Sequence, residues 1–284
     1  MAAHSRPSNA NRNGFSINHK INSITPLPQS QFTLSNLFKR ITVAVPTQIC
    51  NHINLKMTLT LISATPSPFA RMNRIAMLEK NIPFELQNEI PWHKTETKTP
   101  QYNPLEKLPI LLSPSDPSFE PVYDSAHIQE YIIQKYADKE PRLLTGNIDL
   151  DLKARQILVL AEGTLDAFVL EWSESLREEE KRSPAWLDRQ RRKVDGGMRA
   201  FDELVRKRKG QYLIGDGSVF TIADIAVSCA VSHIEFAQWR PGWQDQYPDL
   251  AAWWKNMDER ETFAKTRPYM FDINYGNVIE KAAL

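Results

Sequence analysis

Three short stretches of this chain hold the residue types and spacing that could do chemistry. The first is Thr65-Pro66-Ser67-Pro68-Phe69-Ala70-Arg71. Ser67 suits a helix N-cap, and Pro68 suits the first helical position, whose N–H has no intrahelical acceptor. A hydroxyl beside the unpaired amides of a helix N-terminus can also hold an anion, including a thiolate. Spacing alone leaves both readings open, a cap worth ~1 kcal/mol or a site. The second stretch is Lys107-Leu108-Pro109-Ile110-Leu111, where a proline opens a strand. A cis bond there could leave the N–H and C=O of Leu108 free for an extended ligand; the plain alternative is an edge-strand proline. The third is Tyr123-Asp124-Ser125. Asp and Ser at a helix start either cap its amides or offer an anion site with a carboxylate beside it.

The elements that must position these residues follow from hydrophobic period. Thr58–Ile62 alternates and is β-rich, which predicts a strand ahead of the first turn. Phe69–Lys80 carries Met72, Ile75, Ala76 and Leu78 at helical spacing. Phe84–Gln87 and Leu108–Leu112 read as strands, and Ser125–Tyr136 as a helix with Ile128, Tyr131, Ile132 and Tyr136 on one face. The result is a small α/β unit over residues 57–139, followed by a linker, residues 140–149, containing Pro141 and Gly146. Residues 150–284 then turn helical. Ile157, Ala161, Leu165, Phe168 and Trp172 form one core-facing stripe, and Leu187, Val194, Met198, Phe201 and Val205 form another.

Composition bounds the function classes. The 284 residues hold 35 Lys+Arg against 34 Asp+Glu, a formal charge of +1, which argues against a strongly basic nucleic-acid binder. No apolar run approaches a membrane span, since even Ile222–Ile234 contains Asp224 and His233. Cys50 and Cys229 cannot make a disulfide framework, and Cys229 reads as an inert core thiol, so a reducing compartment, the cytoplasm, is expected. His127, His233 and the cysteines show no metal-ligand spacing. The basic runs Arg189–Lys193 and Arg206–Lys209 lie beside acidic residues and read as solvated helix faces. The charge is uneven: Met1–Lys56 contains six cations and no acid. We read residues 1–56 as a disordered, acid-free leader, with Met57 as an alternative start and a mitochondrial transit peptide as the competing reading.

Taken together, the three stretches resemble the thioredoxin-like domain of cytosolic glutathione transferases. The resemblance rests on Ser67-Pro68-Phe69, on Asn103-Pro104-Leu105-Glu106-Lys107-Leu108-Pro109-Ile110-Leu111, and on Asp124-Ser125 followed by Ile128 and Tyr131-Ile132. In the helical part it rests on Phe220-Thr221-Ile222-Ala223-Asp224-Ile225, a capping box from Thr221 to Asp224 with a Phe220–Ile225 staple. Pro241-Gly242-Trp243 and Arg260–Thr266 are similar to the bacterial and fungal members with Ser before Pro-Phe. One departure is Glu106, where the family usually has Gly.

The resemblance implies a thioredoxin-like α/β domain followed by an all-α helical bundle, acting as a glutathione transferase on a hydrophobic electrophile in detoxification or specialised metabolism. Glutathione would be the co-substrate, with no metal. Its thiol would sit at Ser67, a hydrogen-bond donor to the nucleophile. Its cysteinyl backbone would pair with Leu108 beside Pro109, and its γ-glutamyl end would be held by Asp124 and Ser125. Lys107 and His93 are the candidate cations for the glycine carboxylate. Phe69, Phe168 and Trp172 are expected to face the electrophile, and are equally well explained as core. A homodimer is expected from the family alone. The competing class is a non-catalytic binding or regulatory module on the same fold. The chain beyond Pro268, longer than usual, is expected to fold over the substrate site.

Overall fold

A computed structural model describes residues 58–91 and 97–270, together with the backbone of 280–283. The leader expected over residues 1–56 lies outside the described residues.

Five strands form one sheet: β1 (Leu59–Ser63), β2 (Phe84–Asn88), β3 (Ile110–Leu112), β4 (Val122–Tyr123) and β5 (Glu280–Ala283). Their order across the sheet is β4-β3-β1-β2-β5. β1 and β2 are parallel, pairing Leu61 with Leu86, while β1–β3, β3–β4 and β2–β5 are antiparallel. β1 is buried along its whole length, as a central strand covered on both faces must be. The strand expected from Leu108 starts only at Ile110, because Pro109 has no N–H to give to a ladder. β4 is too short to announce itself by period, and β5 was not foreseen. The backbone of 280–283 extends the sheet at the β2 edge, the far side from β3 and β4, while residues 271–279 of the tail expected to fold over the substrate site lie outside the described residues.

Two helices meet the sheet with their N-termini at its functional end: α1 (Pro68–Glu79) and α3 (Ser125–Lys135), with the single turn α2 (Thr99–Tyr102) between them in sequence. The apolar face expected for α1 is present, with Met72, Ile75 and Ala76 fully buried. Alongside these apolar residues the helix also buries polar ones. Arg71 donates to Asp258 (3.2 Å), to the Phe263 carbonyl (3.1 Å) and to Thr266 (3.3 Å). At the other end Glu79 accepts from Arg260 (3.0 Å) and Thr262 (2.6 Å). The Lys80 ammonium closes the helix by donating to the carbonyls of Lys139 (2.6 Å) and Pro141 (2.9 Å), which ties it to the linker. Buried polar groups are tolerated here because most of them find partners.

The helical part comprises α4 (Ile148–Ser175), α5 (Pro184–Lys207), α6 (Ile222–Phe236), α7 (Trp243–Gln246), α8 (Pro248–Asp258) and α9 (Glu261–Ala264). Both stripes read from the sequence face the core; Ala161, Leu165, Val194, Phe201 and Val205 are fully buried. Gly197 lets α5 approach α4, since a Cβ there would lie 2.1 Å from the Thr164 hydroxyl. α6 is buried along almost all its length and begins with the expected capping box. Asp224 accepts from the Thr221 N–H and hydroxyl (both 2.9 Å), and its second oxygen accepts the Leu213 N–H (2.9 Å). Among the described residues no helix is long and apolar enough to cross a membrane.

Asp224 thus caps the central helix and pins the loop before it. Asp224→Ala would leave three buried donors unmet, and we expect it to cost about 3 kcal/mol. Thermal denaturation followed by circular dichroism should show the melting point falling by roughly 6–12 °C.

Candidate active site

Two helix N-termini converge at one end of the sheet. Ser67 occupies the N-cap of α1: its hydroxyl oxygen accepts the Ala70 N–H at 3.2 Å, and its own N–H donates to the Ala64 carbonyl at 2.9 Å. Asp124 is the N-cap of α3, with Oδ1 accepting from the N–H groups of Ala126 (3.0 Å) and His127 (3.4 Å). Its backbone adopts φ 76°, a left-handed conformation that costs a non-glycine residue of order 1–2 kcal/mol. The helices are tied together at these ends. The Ser125 hydroxyl donates to the Phe69 carbonyl (3.1 Å), and the Asn73 amide donates to that carbonyl (3.1 Å) and to the Ser125 oxygen (3.2 Å). Ser125 therefore turns its side chain inward. What it presents outward is its backbone N–H, which at the first helical position has no intrahelical acceptor.

The third stretch runs between them. Leu108-Pro109 is a cis peptide, and Leu108 stands two residues ahead of β3, outside its ladder. Asn103 holds the approach, donating to the Lys107 carbonyl (2.9 Å) and accepting from the Leu105 N–H (3.0 Å). Glu106 sits at φ 54°, a conformation that glycine adopts without cost, which accounts for the family's usual residue there. Lys107 is exposed, with its side chain available to an anion. His93 lies outside the described residues.

This arrangement can be set beside known proteins. The family model for the glutathione S-transferase N-terminal domain matches residues 66–135, and that for the C-terminal domain matches 184–255. YibF of Escherichia coli K12, an uncharacterized GST-like protein, is 35% identical over 214 residues, covering 74% of this chain and 98% of the relative. The chain belongs to the glutathione S-transferase family. Glutathione S-transferase U19 of Arabidopsis thaliana is 27% identical over 226 residues, 73% of this chain and 89% of that one. A glutathione S-transferase of Methylobacterium radiotolerans, solved in complex with glutathione sulfonate, superposes with a TM-score of 0.69 at 39% identity, covering 76% and 98% of the two chains. One from Methylobacillus flagellatus, solved with glutathione bound, gives 0.67 at 30% identity over 75% and 100%.

Within this transferase fold, two polar residues join the candidate site that sequence reading missed. Asn73 is one, and its Oδ1 is buried without a partner among the described residues. Glu162, on α4, is the other. Its pKa is pushed up to about 7, chiefly by burial and then by the neighbouring Asp124 carboxylate, with the nearby polar Ser125 offsetting part of the rise and Asp166 adding to it. The helical part of the chain thereby brings a carboxyl to the start of α3. In the sequence, Glu162 sits beside the buried Ala161 at the edge of an amphipathic stripe, where an ordinary solvent-facing Glu looks the same.

The aromatic residues divide. Phe168 is core, in edge contact with His233 (centroids 4.8 Å apart) and Trp239 (5.9 Å). Phe69 and Trp172 are half-buried and pack against the same core. Cys229 is fully buried, and desolvation raises its thiol to about 11, so it is inert. Among the described residues no group of three or more His, Cys, Asp or Glu could hold a metal ion.

Glu162 gives a test of this geometry without ligand. A carboxyl raised from 4.5 to about 7 on folding contributes stability below pH 4.5 that is lost as the pH rises through 7. Glu162→Gln should therefore be more stable than the wild type at pH 8, by about 3 kcal/mol, and nearly indistinguishable from it at pH 4. Urea unfolding at the two pH values measures the difference.

Proposed function

We propose that this protein is a glutathione transferase that ionises the glutathione thiol and directs it at a hydrophobic electrophile, in detoxification or specialised metabolism. The observation that carries the reading is how Ser67 uses its hydroxyl. The oxygen accepts the Ala70 N–H, which leaves the O–H proton free to donate to a sulfur anion at the N-terminus of α1. Cap and site are then the same residue acting in both directions. A free thiol ionises near ~8.5, and a hydroxyl donor with a helix N-terminus favours the thiolate. A fall of one to two units raises the thiolate fraction roughly tenfold or more at neutral pH. The thiolate attacks the electrophilic carbon; the new C–S bond expels a leaving group or, on an activated alkene, the displaced π pair takes a proton from water.

In this reading residues 57–139 bind glutathione and residues 150–284 supply the wall for the electrophile, with Phe69 and Trp172 facing it. The cysteinyl backbone pairs with Leu108 beside Pro109. The γ-glutamyl carboxylate meets the Ser125 N–H, and its ammonium lies among Asp124 and Glu162. Lys107 and His93 take the glycine carboxylate. The glutathione ligands of the Methylobacterium and Methylobacillus relatives support this choice of co-substrate. We place the protein in the cytoplasm, in keeping with a free thiol at Cys229. We also infer a homodimer, supported by an exposed apolar stripe on α4, Ile148, Leu152, Val159 and Leu170.

Calorimetry of the full chain with glutathione, and conjugation assays with 1-chloro-2,4-dinitrobenzene and a panel of unsaturated carbonyls, test the proposal. Saturable binding with turnover of at least one electrophile is expected. Absence of binding contradicts the reading, and binding without any turnover favours a binding module instead. A thiol-blocked ligand isolates the γ-glutamyl contacts. Affinity for S-hexylglutathione should rise roughly tenfold from pH 6 to pH 8 as Glu162 ionises, and Glu162→Gln should abolish that rise.

A further inference from the structure

One fully buried carboxyl has no part in the site described above. Glu89 follows β2 directly, and its backbone N–H donates to the carbonyl of Ser63 (2.7 Å), the last residue of β1 before the turn to Ser67. Five donors converge on its side chain. Oε1 accepts from the Gln87 amide (2.8 Å). Oε2 accepts from the Thr97 hydroxyl (2.7 Å), the Lys98 N–H (3.0 Å), and the Thr99 N–H (3.1 Å) and hydroxyl (2.9 Å). Only an acceptor-only group with several lone pairs can serve such a set, and a carboxylate makes each bond about twice as strong as a neutral acceptor would.

The bonds continue from there toward the ligand strap. The Thr99 carbonyl accepts the Asn103 N–H (2.9 Å), and the Asn103 amide donates to the carbonyl of Lys107 (2.9 Å), the residue before Leu108. Glu89 thus joins the end of β1, which leads to Ser67, through its backbone N–H, to the segment that leads to Leu108, through its carboxyl. We propose that Glu89 is a positioning residue for glutathione: through Thr99 and Asn103 it sets the Leu108 backbone at the height the cysteinyl group needs when the thiol rests at Ser67. The inference deepens the proposed function and rests on it.

Steady-state kinetics of the full chain test it. Glu89→Leu keeps similar bulk and removes every acceptor. We expect the KM for glutathione to rise at least tenfold, with kcat at saturating glutathione within twofold of wild type and the electrophile KM unchanged. Glu89→Gln, which keeps one neutral carbonyl oxygen for the Thr97–Thr99 donors but sets its NH2 against the Gln87 amide, should recover part of the affinity, with a KM between those of wild type and Glu89→Leu. A purely structural role would lower kcat with the active fraction and leave both KM values alone, and that result overturns the proposal. Should Glu89→Leu fail to fold, Asn103→Ala reports on the same path, with a three- to tenfold rise in glutathione KM expected and an unchanged KM contradicting it. Wild type that binds no glutathione removes the functional reading itself; wild type that binds, with variants that bind equally well, removes only this inference.

Discussion

The Phe69 carbonyl is the point on which the site turns. It accepts from both the Ser125 hydroxyl and the Asn73 amide, so the second turn of α1 and the first turn of α3 share one acceptor. A ligand spanning Ser67 and Asp124 needs those two N-termini at a fixed separation, and each supplies unpaired amides only while its cap holds. The junction is buried, which makes its hydrogen bonds strong and their loss expensive. It also explains why α1 carries so many polar residues inside. Lying between the sheet and α6, the helix is fixed by Arg71, Asn73 and Glu79 rather than by apolar packing alone.

The same region holds groups that lower the stability of the empty protein. Glu162 sits half-enclosed beside another carboxylate, where its ionised form is disfavoured by burial and by like charge. A neutral or apolar residue there would suit the empty protein better. A ligand ammonium reverses the sign, since the two carboxylates that repel each other would then share a cation. Asp124 adds backbone strain in the left-handed region, which is held by its own cap bonds to Ala126 and His127.

Much of this was legible in the sequence wherever the signal was local. Ser67-Pro68 is a cap and first-turn pair whatever surrounds it, and the Thr221–Asp224 box follows from spacing alone. The stripes on α4 and α5 were readable because apolar period survives tertiary context. What escaped was the product of tertiary approach. Asn73 and Glu162 look like solvent-facing polar residues until a second helix is laid beside them. Arg71 looks like a surface cation until Asp258 and Phe263 close over it from nearly two hundred residues away. The sequence marks Ser125 at the helix start without saying which of its groups faces a ligand; its hydroxyl turns inward to Phe69, a contact between two helices. β5 pairs segments that lie far apart in the chain, a contact no local period announces.

The account stands on the Ser67 hydroxyl acting as a donor to sulfur, and ultraviolet titration of glutathione bound to the full chain measures this directly. Thiolate absorbance followed against pH in wild type should give a thiol pKa one to two units below the free value of ~8.5. In Ser67→Ala it should return most of the way to that value, with glutathione affinity nearly unchanged. An unshifted thiol pKa in the variant would contradict the account and move the role to the nearby buried Thr65 hydroxyl or to the amides of α1 alone.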